Sequence, residues 1–122
     1  MNPGNPMSGF TIDPKNNTLF VTITGEMSMD LARDVKTACE AGLSENTGHD
    51  TVVDLSGVTF MDSMGISCLV AIHKTCKAQG KRMLLYNSSI QVRKILTLVQ
   101  LIDYFQLLDG ETALASALGP AT

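Results

Sequence analysis

The order in which strand-like and helix-like segments follow one another constrains this chain most. Phe10-Thr11-Ile12-Asp13 reads as a short strand, and Pro14 to Asn17 as a turn by composition. Thr18 to Thr24 alternates, with Leu19, Val21 and Ile23 against Phe20, Thr22 and Thr24, which predicts a second strand pairing back on the first. Gly25 ends it. Ser28 is the expected N-cap of a helix carrying Leu31, Val35, Ala38 and Gly42 along one side, with Asp30 in its first turn. The polar run Ser44 to His49 reads as a loop. Val52-Val53-Asp54-Leu55 is the next strand, and a short connection leads from it to Ser63.

Ser63 is the expected N-cap of a long helix, Met64 to Gln79, in which Ile66, Leu69, Val70, His73 and Cys76 recur at helical spacing and Gly80 is the stop. Arg82 to Tyr86 is a further strand. Ser88 or Ser89 then caps a third helix with Val92, Ile95, Leu96 and Val99 on its buried side. Phe105 to Leu108 is a last short strand. Asp109 caps a final helix, Glu111 to Leu118, that ends before Gly119-Pro120. Strand–helix alternation after an opening hairpin implies parallel crossovers in one sheet. The expected fold is therefore one α/β domain: a mixed, mostly parallel sheet, an N-terminal antiparallel hairpin and about four helices. Residues 9–119 are expected to form it, behind a flexible N-terminal tail, residues 1–8, that has neither the basic nor the apolar region of a signal peptide.

Composition narrows the class. A chain of 122 residues, 44% hydrophobic and 17% charged, is large enough for a core and too apolar for disorder. A net charge of −3 argues against direct binding of nucleic acid, which favours basic surfaces. The lysine-bearing spots, Lys74/Lys77 with Lys81-Arg82 and Arg93-Lys94, read as solvated helix surface. Cys39, Cys68 and Cys76 are odd in number and lack metal-ligand spacing. Inside helices they behave as small hydrophobes, which suits a cytoplasmic setting. No apolar run has the length of a membrane span, so no membrane insertion is expected.

Catalytic readings do not assemble. A hydrolase nucleophile elbow would place glycines two residues on either side of Ser63; Gly65 fits, but position 61 is Met. His73 lies on the same predicted helix, about 15 Å further along its axis. Cys76 and His73 are helical neighbours that read as core or boundary residues. Gly80-Lys81-Arg82 lacks the rest of a P-loop, and no zinc, calcium or dinucleotide pattern is present, so no cofactor is expected. Met61 and Met64 are either core filler or surface contacts. Ser63 has two readings. It is a capping serine only, or a switch whose phosphate the helix N-terminus would tolerate.

Two motifs carry a family resemblance. Gly25-Glu26-Met27-Ser28 resembles the Gly-Glu-Leu-Asp that follows the second strand of STAS domains. The run Asp54 to Gly65, Asp-Leu-Ser-Gly-Val-Thr-Phe-Met-Asp-Ser-Met-Gly, resembles their Asp-Leu-Ser-x-Val-x-Phe-Met-Asp-Ser-Ser/Thr-Gly. The likeness runs from about Phe10 to Leu118 and is strongest with the small bacterial anti-sigma factor antagonists. It implies a phosphorylation-switched binding protein and not an enzyme. Ser63 falls on the phosphorylated serine. The resemblance implies two partners: an anti-sigma factor serine kinase, captured while Ser63 is unmodified, and a serine phosphatase that restores that state. Asp62 would set the surface charge. Met61, Met64 and Ile66 would touch the partner, Gly65 would either allow close backbone approach or be a packing glycine only, and Glu26 and Ser28 would border the same surface. Ser28 replaces the acid that usually ends the first motif, so no nucleotide role is carried over. Met64 replaces a hydroxyl residue, which leaves Ser63 the only hydroxyl in that slot. A STAS subunit of another assembly, such as a stress-sensing scaffold or a lipid-transport complex, stays open as an alternative, as does a small enzyme.

Overall fold

The computed structural model describes residues 8–45 and 49–119. Five strands and four helices follow in the expected order. They are β1 (Gly9–Lys15), β2 (Thr18–Met27), α1 (Met29–Glu45), β3 (Asp50–Met61), α2 (Ser63–Ala78), β4 (Met83–Tyr86), α3 (Ile90–Leu98), β5 (Gln106–Leu108) and α4 (Gly110–Leu118). The sheet order is β1-β2-β3-β4-β5, antiparallel between β1 and β2 and parallel thereafter. Residues 1–7 of the expected tail, and residues 46–48 of the expected loop, lie outside the described residues. Ser8, also placed in the tail by sequence, accepts the Glu26 backbone N–H on its hydroxyl at 3.2 Å.

The hairpin turns on Asn16 and Asn17, both left-handed at φ 53° and 63°. Two such residues in sequence match the twist of the flanking strands, and asparagine tolerates the conformation better than most. Pro14, expected in the turn, instead belongs to β1 opposite Leu19. An edge strand admits proline because its N–H need not serve a second neighbour.

Each crossover steps to the next strand in the same direction, so crossovers of one hand put α1, α2 and α3 on one face. Leu19, Val21 and Ile23 of β2 face that side as the alternation requires, and they join Val53, Leu55 and Leu85 in one core. The helices contribute Ala32, Val35, Cys39 and Leu43 of α1, Cys68, Leu69, Ile72 and Cys76 of α2, and Val92 and Leu96 of α3. On α1 the stripe is centred one residue beyond the expected one, and Leu31, Ala38 and Gly42 are only half-buried. Val99, expected to be buried, is the exposed C-cap of α3. Val52 and Leu84, paired in register, are buried on the opposite face. Arg82 donates to Asp50 at 2.8 Å and to the Ala117 carbonyl at 3.0 Å, tying the starts of β3 and β4 to the end of α4. Burial alone would push the Asp50 carboxyl up, but the hydrogen bonds and charge of Arg82 outweigh it and hold it below the usual range.

Two helix ends follow the sequence closely. Ser89 accepts the Val92 N–H and donates to the Val58 carbonyl, so the cap of α3 also grips β3. At the end of α2, Gly80 (φ 70°) and Lys81 donate to Lys77 and Cys76 carbonyls, the paired bonds of a glycine-terminated helix. Asp109 stands at the α4 N-cap position without a capping bond; its carboxylate takes Arg93 instead, at 2.6 Å.

The turn supplies a stability test. Asn17→Gly is expected to hold or slightly raise stability, because glycine has no Cβ to strain at positive φ. Asn17→Val should cost about 1–2 kcal/mol in a urea titration followed by circular dichroism.

Candidate functional site

β3 is longer than its sequence pattern suggests. The short connection expected after Leu55 is strand as far as Met61. Its pairing with β2 shifts register between Thr22 and Thr24 and again between Gly25 and Glu26, each time placing an extra residue on β3. Each bulge adds one residue between core-facing positions, so Leu55, Val58 and Met61 are buried at intervals of three, not two. Asp54 braces the first irregularity, accepting both the N–H and the hydroxyl of Ser56 on one oxygen, at 2.9 and 2.7 Å.

The strand delivers Asp62 and Ser63 to the head of α2, and the two exchange the roles expected from sequence. Asp62, not Ser63, is the N-cap, its Oδ1 accepting the N–H groups of Met64 at 3.0 Å and Gly65 at 3.1 Å. A carboxylate in that position also suits the positive end of the helix dipole. Ser63 is the first helical residue and exposed, and among the described residues nothing takes its hydroxyl in a hydrogen bond. Its Oγ is therefore available for chemistry without loss of the cap.

The other sequence-predicted residues divide by exposure. Gly65 is buried. A Cβ there would lie 2.6 Å from Met61 Cγ and 2.8 Å from the Met27 carbonyl oxygen. Met61, at 4% exposure, takes the core-filler alternative: its side chain packs beneath the site and faces away from solvent. Ile66 is half-buried against the core. Met64 stands out into solvent at 44% exposure. Glu26 is exposed near the end of β2, and Ser28 is half-buried just beyond that end, its carbonyl accepting the Ala32 N–H at the start of α1.

Sequence reading missed three further side chains here. Met29 opens α1, Phe60 precedes the last residue of β3, and Ile90 opens α3, with exposures of 56%, 51% and 64%. With Met64 they place four large apolar groups where β2, β3 and β4 end. Ligands and partners of parallel sheets gather at that carboxyl end. The signal was present in the spacing of Phe60, but only once β3 is known to run on to Met61.

Among the described residues, His73 and the cysteines stand away from Ser63. His73 lies on α2 well beyond Ser63, edge-on to Tyr104 and Phe105 at centroid distances of 5.0 and 5.9 Å. Burial and then the nearby Lys77 charge lower its pKa. Cys76 contacts the Thr51 hydroxyl at 3.4 Å. Burial, with smaller charge effects, pushes the Cys39 and Cys68 thiols up to about 12, far from a nucleophile's range. Among the described residues no group of three or more His, Cys, Asp or Glu side chains is placed to hold a metal, and no helix is long and apolar enough to cross a membrane.

Comparison with known proteins gives a consistent picture. A family model described as STAS domain matches residues 10–116. An anti-sigma factor antagonist from Mycobacterium paratuberculosis superposes with a TM-score of 0.77 at 21% identity, covering 97% of this chain and 98% of that one. The anti-sigma factor antagonist SpoIIAA in its unphosphorylated form gives 0.74 at 17% identity, covering 92% and 100%. The Bacillus cell fate determinant SpoIIAA in its phosphorylated form gives 0.73 at 17%, covering 91% and 100%. At these identities the likeness is one of fold.

Gly65→Ala tests the seat of α2. Met61 has some freedom to yield, but the Met27 carbonyl is backbone. The substitution is expected to cost about 1–3 kcal/mol in chemical denaturation. An alanine variant as stable as the parent would mean that the first turn of α2 does not lie this close to β2.

Proposed function

The chain belongs to the STAS domain family, and we propose that it is an anti-sigma factor antagonist whose binding is switched by phosphorylation of Ser63. Unmodified, it sequesters an anti-sigma factor serine kinase; phosphorylated, it lets the kinase go until a serine phosphatase restores it. In this reading it works in the cytoplasm as a binding protein, not as an enzyme, and touches no nucleic acid.

One observation carries the proposal. An exposed serine whose hydroxyl has no hydrogen-bond partner among the described residues sits on a helix start that a neighbouring carboxylate already caps, amid exposed apolar side chains. The apolar groups offer area for a partner to bury; the hydroxyl offers a place to add charge in their midst. Phosphorylation adds roughly −1.5 to −2 charges. In the free protein these face water and the positive end of a helix dipole. Against a partner they would be desolvated beside Asp62, and a penalty of about 3 kcal/mol weakens a complex more than 100-fold. That a fold relative is known in both unphosphorylated and phosphorylated forms supports the same cycle.

Incubation with the cognate anti-sigma kinase and ATP is expected to raise the intact mass by one phosphate, and Ser63→Ala should abolish the gain. Labelling that survives the alanine would move the acceptor to Ser28, Ser56 or Ser67. Met64→Lys should weaken kinase binding at least tenfold in a calorimetric titration, while Lys77→Glu, on the far half of α2, should change it less than twofold. The reverse order would place the interface away from Ser63.

A further inference from the structure

Beside Ser63, a groove of about 320 Å³ opens between α1 and α2. Its floor is Ala32 and Cys68, and the side chains of Met29 and Met64 rise on either helix. The remaining lining residues are Arg33, Lys36 and Ser67. We infer that this groove receives a partner segment presenting one bulky apolar side chain flanked by carboxylates. The inference rests on the reading of the Ser63 end of the domain as the partner surface and specifies the chemistry of what docks there.

Methionine usage points to the apolar part. Met27, Met61 and Met83 are sealed in the core, whereas the two exposed methionines among the described residues meet at this groove. Methionine is unbranched and polarizable, and it adapts to the shape of an inserted side chain. The volume lies at the lower end of small-ligand pockets, suited to a single side chain.

Charge points to the flanks. Among the described residues Arg33 and Lys36 line the groove and no acid does, in a chain whose net charge is −3. Their own ion pairs, to Asp30 at 3.0 Å and Glu40 at 3.9 Å, are exposed contacts between near neighbours on α1. Such pairs contribute little and exchange readily for an incoming carboxylate. Ser67 stands four residues beyond Ser63 on the same helix, so their side chains lie about 5–6 Å apart. A phosphate on Ser63 would therefore stand within a Debye length of the groove, about 8 Å. It would compete with the partner's carboxylates for the same two cations, which gives phosphorylation a direct route to release.

Methyl NMR on protein with ¹³C-methyl methionine tests this with two synthetic helical peptides. One carries a leucine flanked by glutamates; the other has lysines in their place. The glutamate peptide should shift the Met29 and Met64 methyls saturably while Met27, Met61 and Met83 stay fixed, and the lysine peptide should bind at least tenfold more weakly. Arg33→Glu with Lys36→Glu should invert that preference, with the unshifted core methyls reporting an intact fold. Equal affinity for both peptides, or no response at Met29 and Met64, would overturn the proposal. Phosphotransfer to Ser63 is read separately by mass. A chain that is phosphorylated but indifferent to the peptides loses the groove and keeps the switch; the opposite result does the reverse.

Discussion

The seating of α2 against the end of β2 decides where every group at this end of the molecule stands. The first turn of the helix comes so near the Met27 carbonyl that only hydrogen fits at position 65. That contact aligns the Met64 and Gly65 N–H groups with the Asp62 carboxylate, and it leaves Met61 to fill the space beneath. Ser63, the first residue of the helix, is left exposed. The bulges in β3 serve the same end: without two extra residues, the strand's period of two would turn different side chains inward, and Val58 and Met61 would not both reach the core.

Separating the cap from the modifiable hydroxyl has an electrostatic consequence. Had Ser63 held the helix N-terminus itself, esterifying its oxygen would have disturbed a capping bond worth about 1 kcal/mol. With Asp62 in that role, the capping bonds do not involve the Ser63 oxygen. The new charge is then expressed mainly where water is removed around it, at an interface. The proposed switch is a change of affinity at nearly constant structure, in which the exposed apolar side chains of Met29, Phe60, Met64 and Ile90 would supply the area a partner buries.

Much of this was legible in the residues. The alternation of Thr18 to Thr24 and the glycine stop at Gly80 each have one strong local cause and appear where expected; of the two caps expected for α3, Ser88 or Ser89, the helix takes Ser89, and β2 runs on to Met27, past the end expected at Gly25. Signals that depend on tertiary context were not legible. β3 continues past Leu55 because pairing with β2 sustains it, while its bulges break the alternation by which a strand is recognised. Asp62 and Ser63 are both good caps in adjacent positions, and only the path of the chain chooses between them. Pro14 reads as a turn former until β1 is known to be an edge. Val99 has the spacing of a core residue, but α3 has ended by then. At the site, Met61 and Met64 are alike in sequence and opposite in structure, one sealed and one exposed, because the strand-to-helix junction falls between them.

Under the proposed switch, phosphate on Ser63 changes binding without changing the fold. The direct measurement is the affinity of the cognate anti-sigma kinase for protein carrying phosphoserine at position 63, against the unmodified chain, with amide spectra of both free forms. Affinity should be lower by about 100-fold or more, with amide shifts confined to the head of α2 and the segment before it. Equal affinities would overturn the switch, as would a loss of binding accompanied by spectral change throughout the sheet.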